Sequence, residues 1–154
     1  MPLAGIALGS NLGDRRAHLA SAVERLASLL SDLGVSRTFE TAPVAVTGPQ
    51  GFFLNAAAAG GFEGTARDLM AELLAIERDR GRERPYPGAP RTLDLDLIFF
   101  GDQTLEEPGL VVPHPRFRER RFVLEPLAEV APDWRDPVTG LTIRQLLERL
   151  SLRL

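Results

Sequence analysis

Two aspartates separated by a single residue, Asp94 and Asp96, are the pair in this chain best placed to do chemistry together. They lie in Thr92-Leu93-Asp94-Leu95-Asp96-Leu97-Ile98-Phe99-Phe100, whose alternation predicts a strand over residues 92–100. Residues i and i+2 of a strand share a face, so both carboxylates project together while Leu93, Leu95, Leu97 and Phe99 project to the other side. At a rise of about 3.3–3.4 Å per residue the carboxylates stand about 7 Å apart. On a half-buried face their repulsion is relieved by a cation between them or by a proton on one of them. The alternative is the exposed polar face of an edge strand, but that same face continues with Ile98 and Phe100. Oxygen donors in a chain with no cysteine and only two histidines favour Mg²⁺ over zinc. Mg²⁺ keeps waters and shares its shell with substrate phosphates, which points to nucleotide chemistry.

The cations are arranged to match. Net charge is −3, and all 18 basic residues are Arg, because the chain has no Lys. A P-loop, which needs its Lys to reach the phosphates, is excluded. Arg78, Arg80, Arg82, Arg84 and Arg91 fall in one short stretch, and Arg116, Arg118, Arg120 and Arg121 in another. Interleaved acids allow a solvated mixed-charge surface. Focused Arg in an acidic protein also suits a small phosphate ligand, better than a long nucleic acid that wants a basic face. Arg91, three residues before Asp94, either bridges phosphate oxygens or pairs with one of the aspartates. His114, in Val112-Pro113-His114-Pro115, is held in an extended loop by its prolines and either presents its ring to a ligand or is structural. His18 is assigned to the surface of a helix. Gly9-Ser10-Asn11-Leu12-Gly13 feeds a helix N-terminus, which suits an anion or simply a tight strand-to-helix connection.

The elements that must position these residues follow from periodicity. Residues 3–8 read as a short apolar strand, and Asp14 as a helix N-cap. Leu19, Val23, Leu26, Leu30 and Leu33 then recur at helical spacing up to a stop at Gly34. Residues 35–41 read as a second strand, 42–51 as an irregular loop and 52–62 as a third strand. Thr65-Ala66-Arg67-Asp68 has the form of a capping box, and Ala66, Leu69, Leu73 and Ile76 give a second helix its buried face, ending near Gly81. A Pro-rich loop over 82–91 precedes the aspartate strand, and a further helix is expected over 141–150. Strand, helix, strand, strand, helix, strand is the order of the split βαβ arrangement, so the expected class is α+β, a ferredoxin-like βαββαβ core with a C-terminal α/β extension from Gly101 onward. At 154 residues the chain is expected to form a single domain, 1–154, with a core that needs no disulfides. No apolar run is long enough to span a bilayer and no basic flank marks a signal peptide, so a cytoplasmic protein without a membrane partner is expected.

In this order the motifs resemble the 6-hydroxymethyl-7,8-dihydropterin pyrophosphokinase family, and the resemblance covers nearly the whole chain. Pro90-Arg91-Thr92-Leu93-Asp94-Leu95-Asp96 matches that family's P-R-T-x-D-x-D signature. Supporting it are Gly9-Ser10-Asn11, Phe53-Leu54-Asn55, and Val112-Pro113-His114-Pro115 followed by Arg120 and Phe122-Val123-Leu124. The resemblance implies transfer of ATP's β,γ-pyrophosphoryl unit to the pterin hydroxymethyl group in folate biosynthesis, with ATP and 6-hydroxymethyl-7,8-dihydropterin as partners and AMP as product. It implies that Asp94 and Asp96 hold two Mg²⁺ ions, and that Arg82 and Arg91 stabilise charge on the transferring group. Glu77, Arg84, Arg91, Leu97, His114 and Arg120 map to the family's ATP contacts, Leu97 through its backbone. Thr41, Ala42, Pro43, Val44, Phe53, Asn55 and Phe122 map to its pterin pocket, where aromatic rings sandwich the heterocycle and Asn55 bonds its edge. Without the resemblance, Phe53 and Phe122 read as core packing. The Arg-bearing loop 81–91 is expected to close over the triphosphate and exclude water.

The chain departs from the family at Gly88, where an aromatic is common and Tyr86 stands two residues earlier. It departs also at Pro115, and at Gly109 and Val111, which leave two ATP contacts of some members unfilled. Two rivals fit less well. Nucleotidyltransferases place a Gly-Ser turn closely upstream of the aspartates, whereas Ser10 and Asp94 are 84 positions apart. An RNA-binding ferredoxin-like module wants aromatic and basic residues on its strands, not two aspartates in an acidic chain. No nucleic-acid partner is expected, and a monomer is favoured.

Overall fold

The structure, a computed structural model of the chain, describes residues 1–43, 50–81, 86, 87 and 89–152. Strand β1 (Leu3–Ser10) lies inside the sheet and sets its two faces, with Ala4, Ile6 and Leu8 on one side and Gly5, Ala7 and Gly9 on the other. Gly13, at φ +73°, makes the turn into α1 (Arg15–Leu29), and Asp14 caps the helix by accepting the Ala17 N–H at 3.1 Å.

The first helix is shorter than its apolar spacing predicts. It ends at Leu29, and residues expected in its last turn become β2 (Ser31–Val35), with Asp32 at φ +52° and a register shift between Ser31 and Gly34. Leu30 stays buried and Leu33 packs on the same core, so a three-residue spacing served a strand edge as well as a helix face. The strand expected over 35–41 is accordingly split, its second half being β3 (Phe39–Thr41). Between them Ser36 continues the pairing: its N–H donates to the Ala57 carbonyl at 2.9 Å, and its hydroxyl accepts the Ala57 N–H at 2.9 Å.

Strand β4 (Phe53–Gly61) and helix α2 (Ala66–Asp79) fall where the sequence placed them, and the Thr65–Asp68 capping box is formed in both directions. The sheet closes with β5 (Asp94–Phe100) in the order β2-β4-β1-β5, all antiparallel, with β3 also on β4. This is the ferredoxin-like α+β arrangement expected from the element order. Helices α1 and α2 pack on the Ala4, Ile6 and Leu8 face.

Past the core, β6 (Leu105–Glu107) and β7 (Leu110–Val112) form a separate ribbon, followed by a 3-10 turn (Phe117–Glu119), α3 (Arg121–Val130) and α4 (Ile143–Ser151). Helix α3 has no counterpart in the sequence reading. It contains Pro126, which cannot donate to the carbonyl four residues earlier, and Arg120 at its N-cap makes no side-chain cap. Burial of Val123, Leu124 and Leu127 holds it instead.

The strict alternation expected of β5 breaks at one point. Ile6 pairs with Leu97 but Gly5 pairs with Phe99, so Ile98 is an extra, bulged residue. Beyond it Phe99 joins the face of the aspartates and Phe100 joins the leucines, the reverse of the simple alternation. Phe99 lies across Gly5, where a Cβ would come within 2.3 Å of its ring, and stacks on Trp134 at 3.9 Å. That second core, completed by α3 and α4, covers only the Gly5 and Ala59 end of the sheet face. The end that carries Gly9, Asn55 and Asp94 is left open.

Candidate active site

The open end of the sheet is a cleft of about 680 Å³. Its floor is set by strand register: Gly9 pairs with Asn55 on one side and Asp94 on the other, and Ala7 pairs with Asp96. Small residues on β1 therefore leave room between an amide and two carboxylates that point out of the same face. Of the residues singled out from sequence, Thr41, Ala42, Phe53, Asn55, Arg91, Asp94, Asp96, His114, Arg120 and Phe122 all line this one cleft. Pro43 is described but does not line it. Val44, Arg82, Arg84 and Gly88 lie outside the described residues.

Glu77 and Leu97, the latter expected to contribute its backbone, are not among the residues that line the cleft. Glu77 is buried on α2 and accepts the Leu95 N–H at 2.7 Å, tying that helix to the outer edge of β5. The Leu97 side chain belongs to the helix-side core. His18 is half-buried on the surface of α1, where its Nδ1 accepts the Arg80 Nε–H at 3.0 Å and joins α1 to the end of α2. Its pKa is lowered by burial and then by Arg80, against Asp14.

Asn55 is held with its amide nitrogen committed, donating to Thr41 Oγ1 at 2.6 Å and to the Phe39 carbonyl at 3.4 Å. Its Oδ1, beside Gly9, is the group left to accept an N–H from a heterocycle edge. Each aromatic ring of the cleft carries an arginine: the Arg91 guanidinium lies 5.7 Å from the Phe53 ring centre and that of Arg120 lies 5.5 Å from Phe122. Arg91 also pairs with Asp94 at 3.6 Å.

His114 is positioned through its backbone, whose N–H donates to the Ile98 carbonyl at the β5 bulge at 2.7 Å. Its Nδ1 accepts the Arg116 N–H at 3.2 Å, which places the neutral ring's proton on Nε2. Burial lowers the His114 pKa below the ordinary 6.5, and the Arg120 and Arg116 charges lower it further, against Asp94. The ring is thus a neutral donor near pH 7.

Ala7, Leu8, Gly9, Arg116, Glu119, Arg121 and Val123 also line the cleft, Gly9 and Val123 from within the motifs quoted above and the others without any expected site role. Arg116 and Arg121 belong to the second arginine cluster, whose place in the fold spacing alone does not give. Ala7 and Gly9 carry their signal only through register, which pairs them with the aspartates.

Among the described residues no third histidine or carboxylate joins Asp94 and Asp96 to make a protein-only metal cage. Two carboxylates on one face nevertheless fit Mg²⁺, which takes one or two protein carboxylates and completes its shell with water and phosphate oxygens. Such a cleft, acidic on one strand and rimmed by Arg91, Arg116, Arg120 and Arg121, has the composition of a phosphate-transferring enzyme.

The comparisons with known proteins agree. A family model described as 7,8-dihydro-6-hydroxymethylpterin-pyrophosphokinase matches residues 5–132. A 2-amino-4-hydroxy-6-hydroxymethyldihydropteridine pyrophosphokinase of Synechocystis sp. is 43% identical over 147 residues, 95% of this chain and 75% of that one. Another of the same name, from Methylorubrum extorquens, is 41% identical over 98% of this chain and 95% of its own length. Among solved structures, an HPPK-DHPS protein of Plasmodium falciparum superimposes with a TM-score of 0.79 over 99% of this chain at 15% identity. This chain spans 46% of that longer protein, and the likeness at that identity speaks to fold alone. The chain belongs to the hydroxymethyldihydropterin pyrophosphokinase family, a family of diphosphotransferases.

Proposed function

We propose that this chain, acting as one unit over residues 1–154, transfers the β,γ-pyrophosphoryl group of ATP to the hydroxymethyl oxygen of 6-hydroxymethyl-7,8-dihydropterin in an Mg²⁺-dependent reaction that releases AMP. The observation that carries the reading is that Asp94 and Asp96 share a cleft with Asn55, Phe53 and Phe122, so a phosphate side and a heterocycle side adjoin. The hydroxymethyl oxygen forms a bond to the β-phosphorus, the bond from that phosphorus to the oxygen bridging the α-phosphorus breaks, and the hydroxyl proton passes to solvent. No side-chain nucleophile is needed. Asp94 and Asp96 would hold Mg²⁺, which when bound to the triphosphate offsets charge on its oxygens.

The chain's own residues do the remainder. Arg91 is free to exchange its long contact with Asp94 for phosphate oxygens, and Arg120 approaches from the opposite wall. His114 donates from Nε2 without adding charge. Asn55 reads the pterin edge through Oδ1, and Phe53 and Phe122 offer it their faces. Arg82 and Arg84 are assigned to the triphosphate on the strength of the family motif.

The test is to incubate the protein with ATP, Mg²⁺ and the pterin and to resolve the nucleotides. AMP should form only with pterin present, and Asp94→Ala or Asp96→Ala should lower turnover about a hundredfold or more, the scale of losing one preorganised electrostatic group. ADP as the product, or turnover undiminished without Mg²⁺, would rule the reading out.

A further inference from the structure

We propose that Glu129 is a positioning residue for the pterin: from the last turn of α3 it fixes the entry to β3, and so sets the separation between the Phe122 wall of the cleft and the wall of Thr41, Asn55 and Phe53. Its Oε1 accepts the Arg37 backbone N–H at 3.0 Å, and its Oε2 pairs with the Arg37 Nε at 2.7 Å. The Arg37 carbonyl is held as well, accepting the Ser36 hydroxyl at 2.8 Å. Ser36 is itself bonded to Ala57 of β4, so the chain approaches β3 with both main-chain polar groups of Arg37 taken. Two residues on, β3 begins at Phe39, whose carbonyl, together with Thr41 Oγ1, receives the Asn55 amide. Thr41 pairs with Phe53.

Helix α3 needs such an anchor. Phe122 and Glu129 are seven residues apart, two turns or about 10 Å along the axis, and therefore share a face. One end of that face lines the cleft and the other meets Arg37. The first turn is poorly held from within: Arg120 gives no side-chain cap, and Pro126 leaves the Phe122 carbonyl without its helical partner. Burial of Val123, Leu124 and Leu127 keeps the helix on the sheet, but apolar contact is non-directional and does not fix its place along it. Among the described residues, the Glu129 clasp is the one side-chain hydrogen bond or ion pair between α3 and the segments of the sheet, since Arg121 turns to Glu125 and Ser151. The Arg37 side chain is 75% exposed, so its ion pair is screened and the backbone bond carries the effect. The inference rests on the proposed assignment of Phe53, Asn55 and Phe122 to the pterin.

The experiment uses the full chain and compares kcat/KM for 6-hydroxymethyl-7,8-dihydropterin at saturating MgATP with the Kd of MgATP, measured by calorimetry without pterin. Glu129→Ala should lower kcat/KM for the pterin on the order of tenfold through a higher KM, the scale of one hydrogen bond to a charged group, while the MgATP Kd stays within about twofold. Glu129→Gln keeps an acceptor for the Arg37 N–H, and Arg37→Ala keeps that N–H, so both should stay within about threefold of the wild type. Glu129→Asp retains the charge but falls one methylene short; it should show the same selective loss, and it serves where the alanine variant does not fold. A loss of MgATP affinity as large as the pterin loss marks a merely structural effect and overturns the proposal. So do unchanged pterin kinetics without the glutamate, or a loss in Arg37→Ala that matches that of Glu129→Ala. Absence of turnover in the wild type would instead count against the proposed function and is distinguishable on that ground.

Discussion

The neutral imidazole of His114 depends on its neighbours rather than on its own chemistry. Its folded midpoint is lowered, by burial first and by Arg120 and Arg116 next, so the unfolded chain takes up this proton before the folded one does. Stability from this residue is therefore present in full above its ordinary 6.5 and is lost as pH falls from there through the folded midpoint. Nuclear magnetic resonance of the ring protons should give a midpoint below 6.5 in the wild type and a higher one in Arg120→Gln. A wild-type midpoint above the ordinary value would contradict the geometry. Phosphate binding, which adds negative charge beside the ring, should raise it.

Elements outside the core hold the cleft's far wall. Asp136 has no exposed surface; Arg118 grips it with two bonds of 2.6 and 2.9 Å, and the Thr139 hydroxyl and Val138 N–H complete its shell. Burial alone would push the carboxyl up, but the bonds from Arg118, Thr139 and Val138, with the charge of Arg118, bring it below 3.8. Its stabilising effect is thus present above 3.8 and is lost as pH falls through the folded value. Because Arg118 sits in the 3-10 turn between His114 and Arg120, this anchor sets both cleft residues. Urea denaturation of Asp136→Asn should show a loss of about 3–5 kcal/mol, the cost of breaking a buried pair. An unchanged midpoint would mean that the turn is held otherwise. At the opposite end of the sheet, Gly5→Ala forces the Phe99 ring off its seat and should cost about 1–3 kcal/mol, with the near-ultraviolet signal of Trp134 altered. Full stability in that variant would show that the ring has room to move.

For the molecule as a whole, ligand binding and folding share one equilibrium. Saturating MgATP at about a hundred times its Kd should add about 2.7 kcal/mol of stability. Thermal melts should show this gain with Mg²⁺ and ATP together, and Asp94→Asn with Asp96→Asn should lose the Mg²⁺-dependent part. A gain of equal size without metal would remove the aspartates from nucleotide binding. Among the described residues no helix is long and apolar enough to cross a membrane. The two apolar cores lie on opposite faces of one sheet, and the second leaves part of its face open as the cleft.

Local order was legible where one residue type served one purpose. The period of α2 and its capping box were plain, as was the i, i+2 pair of Asp94 and Asp96, because each depends on neighbours in the chain. The end of α1 was not, since Leu30 and Leu33 satisfy a helix face and the sheet edge alike, and pairing with β4 decided between them. Helix α3 was hidden by Pro126 and by an uncapped start, and only burial against the sheet reveals it. The sequence by itself determined which groups this chain brings: paired carboxylates, clustered guanidinium groups and one constrained imidazole, ordered as in one family. Tertiary structure decided that Asn55, Gly9 and Asp94 stand in one row, that the bulge at Ile98 turns Phe99 away from the leucines, and that Asn11 reaches Arg91 across 80 residues. Register and long-range hydrogen bonds join segments distant in the chain, and no local spacing encodes them.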